Sequence, residues 1–175
     1  MNNYTKLIIF AVIFLLGFSI AIIILSWPFL TGKTYVLATI QPIGPFDIIM
    51  GQYATINYEI NRLSNISGIT GNDSGKVIYV ILEKDSSGIS HPISVSLSKP
   101  ENKELIKGKI EYAYGNSARV EYGIEQFFFE RGASFSMRNI TVEVKVSSSG
   151  KARISKLLQN GKSLDIKYRE FSIAS

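Results

Sequence analysis

Residues 139–146 read NITVEVKV. Ile140, Val142, Val144 and Val146 share one parity; Thr141, Glu143 and Lys145 share the other. Strand side chains alternate between faces, so this pattern predicts a strand with one buried face and one wetted face. The same period recurs elsewhere. In LIKGKIEYAY (105–114), Ile106, Ile110, Tyr112 and Tyr114 oppose Lys107, Lys109 and Glu111. In SLDIKYR (163–169), Leu164, Ile166 and Tyr168 oppose Asp165, Lys167 and Arg169. VIYVILE (77–83) is apolar on both parities and reads as a central strand, and TYVLATI (34–40) is a further one.

The punctuation between these runs agrees. Asn160–Gly161 lies between two alternating runs and suits a two-residue hairpin turn, whose central positions need positive φ. SSSGK (147–151) joins two more runs, and LSNISGITGNDSGK (63–76) reads as a polar, mobile loop. The count reaches about eight or nine short strands, which predicts an all-β barrel or sandwich. One segment departs from the period. In EYGIEQFFFERG (121–132) the apolar residues after Gly123 are Ile124, Phe127 and Phe128, a helical spacing. A short helical turn is expected near 123–131, ending at Gly132.

Residues 7–30, LIIFAVIFLLGFSIAIIILSWPFL, carry no charge. About 20 helical residues span a bilayer core, so this run predicts a transmembrane anchor helix. Trp27 and Phe29 fit an interfacial aromatic anchor, and Pro28 is expected to end the helix. The run is longer than a signal-peptide core, and SWPFLTGK offers no small-x-small cleavage site. Lys6 and the α-amino group favour a cytoplasmic N-terminus, residues 1–6. A linker at 31–33 then leads to an extracytoplasmic β domain over 34–175, about 140 residues and enough for one core.

Composition narrows the chemistry. The 175 residues include no cysteine, which excludes disulfides, thiolate metal sites and a cysteine nucleophile. The net charge is +5, but the basic residues are interspersed with acids, as in VEVKV, so no nucleic-acid partner is expected. His91 is the single histidine and reads as a surface or loop residue. No histidine–carboxylate cluster has metal-ligand spacing, so neither a metal nor another cofactor is expected. Asp73 and Asp85 are acidic loop residues without a calcium-loop pattern. Serine–lysine hydrolysis of the signal-peptidase kind would need a serine close behind the anchor, whereas Ser26 falls inside the apolar run.

The residues most open to a special role lie in two blocks. The first is GQYATINYEI (51–60), where Ala54, Ile56, Tyr58 and Ile60 form the core parity and Tyr53 falls on the other. Gly51 precedes them and permits a sharp turn or bulge. The second is YGIEQFFFERG (122–132), where Glu125 stands among aromatic residues with Arg119 and Arg131 near in sequence. A carboxylate in apolar surroundings needs a partner. Phe127, Phe128 and Phe129 cannot all point one way, so one ring is expected to be exposed.

The first block resembles the motif that names the GDYXXLXY protein family. Gly51, Tyr53 and Tyr58 match, Ile56 replaces the leucine, and Gln52 replaces the aspartate. The second block resembles another family segment, and QPIGPFDIIM (41–50) and YVILE (79–83) keep the family's order. The resemblance implies membrane-anchored proteins of unknown function, often encoded beside multi-spanning membrane proteins. The expectation is a non-enzymatic, single-pass, membrane-anchored domain that binds another envelope component, most plausibly a multi-spanning membrane protein. Its contact candidates are Gly51, Gln52, Tyr53, Tyr58, Tyr122, Gly123, Glu125 and Phe127, with the two blocks meeting in space. The alternatives are a small-ligand sensor with a pocket near those blocks and, further off, the signal-peptidase-like hydrolase.

Overall fold

The computed structural model describes residues 2–40, 52–129, 133–134 and 139–168. The chain divides into two compact units, residues 1–32 and 33–175. The first is the helix α1 (Asn3–Leu30). It is apolar from Leu7 onward, long enough to cross a membrane, and none of its residues is buried. It differs from expectation at its end: Pro28 lies inside the final turn. Proline lacks an N–H, but its fixed φ is helical, and the Thr31 N–H donates to the Trp27 carbonyl to complete the turn (3.1 Å).

The second unit is all-β. Its strands are β1 (Lys33–Ala38), β2 (Gln52–Thr55), β3 (Arg62–Leu63), β4 (Val77–Lys84), β5 (Ile89–Ser96), β6 (Leu105–Tyr114) and β7 (Ser117–Glu121). They continue as β8 (Gln126–Phe129), β9 (Ala133–Ser134), β10 (Ile140–Val146), β11 (Ala152–Gln159), β12 (Lys162–Ser163) and β13 (Lys167–Tyr168). Nine of them form one mixed sheet in the order β12-β11-β10-β1-β5-β4-β6-β7-β3. Only β1 and β5 run parallel there, and only through Val36–Ile89 and Leu37–Ser90. Two further pairs, β2 with β8 and β9 with β13, stand outside that sheet.

The sheet curls back on itself. Tyr58, just before the 3-10 turn Glu59–Asn61 that feeds edge strand β3, bridges Thr39 just beyond β1. The Ile40 N–H donates to the Asn57 carbonyl beside it (2.9 Å). One edge of the sheet therefore meets its middle. The enclosed core takes Leu37 from β1, Ile78 and Val80 from β4, Ile106 and Ile110 from β6, and Val142 and Val144 from β10. The alternation of NITVEVKV is thus kept: its four aliphatic residues are buried. Gly108 in β6 is required by close packing, since a Cβ there would strike Val120 Cγ1 and Tyr122 Cε1.

Three sequence expectations change. SLDIKYR is not one strand, because β12 ends at Ser163 and β13 begins at Lys167. The Asn160–Gly161 turn is as expected, at φ 49° and 75° between β11 and β12. The polar loop 63–76 is pinned: Ile69 is buried, and Asp73 accepts hydrogen bonds from Lys76 Nζ (2.8 Å) and from the Thr70 N–H and hydroxyl. Those contacts, Lys76 first, hold the Asp73 carboxyl down at about 2. Residues 123–129 hold no helical turn; they form a tight turn followed by β8. Asp85 is engaged as well, accepting from Ser87, the Ile89 N–H and His91.

His91 links two elements. Its Nδ1 lies 2.9 Å from Glu59 Oε2 and its Nε2 3.1 Å from Asp85 Oδ2. Asp85, then Glu59, raise its pKa above the ordinary 6.5. A raised folded-state pKa gives stability that is complete below the unfolded value and lost as pH rises through the folded one. The groups are about two-fifths exposed, so the effect is below about 1 kcal/mol. The single histidine ring signal should titrate above pH 6.5, and His91→Gln should flatten the decline in stability above that pH. A ring titrating below 6.5 would contradict the linkage.

Ser90 supplies a second test. Its hydroxyl is buried in β5 and has no hydrogen-bond partner among the described residues. A buried unpaired polar group costs about 1–3 kcal/mol. Ser90→Ala should therefore raise the denaturation midpoint of the full chain; a lower midpoint would show that the hydroxyl is satisfied.

Candidate functional site

The two blocks meet. β2 and β8 run antiparallel, pairing Gln52 with Phe129, Tyr53 with Phe128, Ala54 with Phe127 and Thr55 with Gln126. The Ile56 N–H then donates to the Glu125 carbonyl (2.7 Å). The first block is a strand only to Thr55, yet its parity continues: Ala54, Ile56, Tyr58 and Ile60 are all buried. In the second block, period two wins over the helical spacing. Phe127 and Phe129 share a side, their ring centroids 4.8 Å apart, while Phe128 is 70% exposed. Pairing with β2 supplies the backbone partners that make β8 a strand.

Beyond the ladder, two tyrosines tie the blocks reciprocally. The Tyr58 hydroxyl donates to the Ile124 carbonyl, and the Tyr122 hydroxyl donates to the Ile60 carbonyl, each at 2.7 Å. Both rings are buried. Burial first, and the Glu125 charge second, raise both phenols well above the ordinary tyrosine range. They therefore stay protonated and keep donating at any ordinary pH.

Glu125 closes the turn. Its Oε1 accepts from the Tyr122 N–H (2.7 Å) and from Asn61 Nδ2 (3.1 Å). Gly123, at φ 76°, supplies the left-handed residue inside that turn. Of the partners expected for Glu125, an arginine or a backbone N–H, the backbone N–H of Tyr122 is the one found. Arg119 donates instead to Glu111 (2.6 Å), and Arg131 lies outside the described residues. A backbone N–H three residues back is a local partner of the kind turns commonly supply.

Asn61 is the member that sequence reasoning missed. It is buried; its Oδ1 accepts from the Tyr58 N–H (2.6 Å) and its Nδ2 also donates to the Val120 carbonyl (2.8 Å). The available signal was an Asn three residues after Tyr58, a spacing at which its side chain can cap a turn. Gly51 lies outside the described residues, and for Gln52 and Tyr53 the backbone pairing alone is described.

The arrangement is a clasp built from hydrogen bonds between blocks, not an array of free catalytic groups. Among the described residues no cluster of three or more His, Asp or Glu side chains could hold a metal ion, and no serine hydroxyl is hydrogen-bonded to a lysine. Tyr58→Phe and Tyr122→Phe each leave a buried carbonyl without its donor, so each should destabilise the full chain by about 1–3 kcal/mol. Glu125→Gln, which keeps an acceptor oxygen, should cost less than Glu125→Ala. Denaturant titration measures all four; unchanged midpoints for both phenylalanine variants would mean that the clasp does not hold the fold.

A family model described as GDYXXLXY protein matches residues 15–157. No curated protein and no solved structure matches the chain. The matched range takes in both blocks, the strands between them and most of the sheet. The chain belongs to the GDYXXLXY protein family.

Proposed function

We propose that this chain is a single-pass, membrane-anchored, non-enzymatic β domain that engages another membrane or envelope component, with a multi-spanning membrane protein as the favoured partner. One observation carries the reading. A helix that is apolar from Leu7 onward and has no buried residue precedes a β domain whose motif residues Tyr58, Tyr122 and Glu125 are engaged in holding that domain together. A helix that is apolar all round requires a nonaqueous surrounding, and about 20 such residues cross a bilayer core. The motif then acts as a brace, and the contact surface lies elsewhere on the β domain. The N-terminus lies in the cytoplasm and the β domain outside it, by the positive charge ahead of the helix.

Two measurements on the full chain in native cells test this. Protease added outside the cytoplasmic membrane should remove a C-terminal epitope and spare an N-terminal one. Crosslinking from the β domain, read by mass spectrometry, should recover one multi-spanning membrane protein above the background of an unrelated anchored domain. Reversed protection would overturn the orientation, and background-level crosslinking would overturn the binding role.

A further inference from the structure

Among the described residues, the curled sheet closes at one end and carries no closing contact at the other. Closure runs through the Thr39–Tyr58 bridge and the His91–Glu59 contact. Among the described residues, β5 has no β1 partner past Ser90, and from Pro92 to Ser96 it pairs with β4 alone. Pro92 and the irregularity between Ile81 and Leu82 fit this change, since proline in a sheet belongs where one side carries no ladder. β3 is the last strand of the sheet and pairs only with β7. Among the described residues no strand pairs with its outer edge, though the Arg62 N–H donates to the Glu59 carbonyl. Asn65, at φ 57°, bends the chain directly beyond it.

These two open edges flank one groove of about 330 Å³. Arg62, Leu63 and Asn65 line one side, and Pro92, Ile93 and Val95 the other. Ile93 is 57% exposed. Glu59 also faces the groove, but His91 holds its carboxylate. The Arg62 guanidinium has no ion-pair partner among the described residues, whereas the Glu59 carboxylate is already engaged by His91.

We propose that this groove receives an extended peptide segment of the partner, added as a strand between β3 and β5, with an acidic side chain set against Arg62. The proposal deepens the binding role given above and rests on it. An open strand edge offers a row of backbone donors and acceptors, and an extended chain is the chemistry that satisfies them. Apolar groups on both walls give alternate side chains of the incoming strand a place to pack. The guanidinium selects a carboxylate through paired N–H donors, which lysine reproduces only as a point charge. A flat apolar ligand would leave the edges unsatisfied, and a basic peptide would meet Arg62 with like charge.

The test selects a phage-displayed random heptapeptide library on the full-length protein in nanodiscs, after depletion on empty nanodiscs. Enriched peptides should be proline-poor and carry Asp or Glu. They should slow amide hydrogen exchange in residues 62–64 and 93–96, and bind at least tenfold more weakly to Arg62→Glu, with partial recovery in Arg62→Lys. Both variants are checked for an unchanged thermal midpoint, which the exposed Arg62 side chain should permit. Peptides that bind Arg62→Glu equally well, or protect amides elsewhere, overturn the groove while leaving the binding role intact. Failure to enrich any peptide overturns the groove too, and the crosslinking experiment then decides the binding role separately.

Discussion

Two buried phenol hydroxyls, each donating to a carbonyl in the other's segment, are the constraint on which the β domain depends. Tyr58 reaches Ile124 and Tyr122 reaches Ile60, so neither segment can shift register without breaking both bonds. Register slips are otherwise easy in short strands, because a one-residue slip exchanges the two faces. β2 and β8 are four residues each and stand outside the main sheet, where such protection matters most. Asn61 and Glu125 extend the lock to the backbone, and Gly108 leaves the space into which the Tyr122 ring packs.

Much of this was legible in the sequence, and the physical reason is parity. NITVEVKV and VIYVILE state their faces in every residue, and Asn160–Gly161 states its turn. The parity of GQYATINYEI also survived, even though its backbone leaves the strand after Thr55. A 3-10 turn can keep Tyr58 and Ile60 inward because a buried tyrosine and isoleucine gain more from the core than the turn loses in regularity. What parity could not supply was the competition for polar partners. The helical spacing of Ile124, Phe127 and Phe128 was outweighed by the ladder with β2, a contact between residues more than seventy positions apart. Asn61 gave no apolar signal at all, and for Glu125 the sequence left an arginine and a backbone N–H both open as partners. Pro28 was read as a stop, whereas its fixed φ fits the last helical turn.

The brace has a consequence for function. Residues that recur in a family motif are readily taken for a contact surface, yet here Tyr58 and Tyr122 are buried and the half-buried Glu125 is bonded back to the Tyr122 N–H. The surface proposed above for a partner is the place where the same closure stops among the described residues, between β3 and the far half of β5. The clasp at Tyr58 and the opening beside Leu63 lie within one short stretch of chain, so the brace that shapes the domain also fixes one wall of the groove.

Native-state hydrogen exchange of the full-length protein tests the brace most directly. The Tyr122 and Ile56 amides, bonded to the Glu125 carboxylate and carbonyl, should exchange only by global unfolding, with the same free energy as the amides of β4 and β10. Exchange of those two amides through local opening, well below the global value, would show that the two blocks merely rest on the fold and do not hold it.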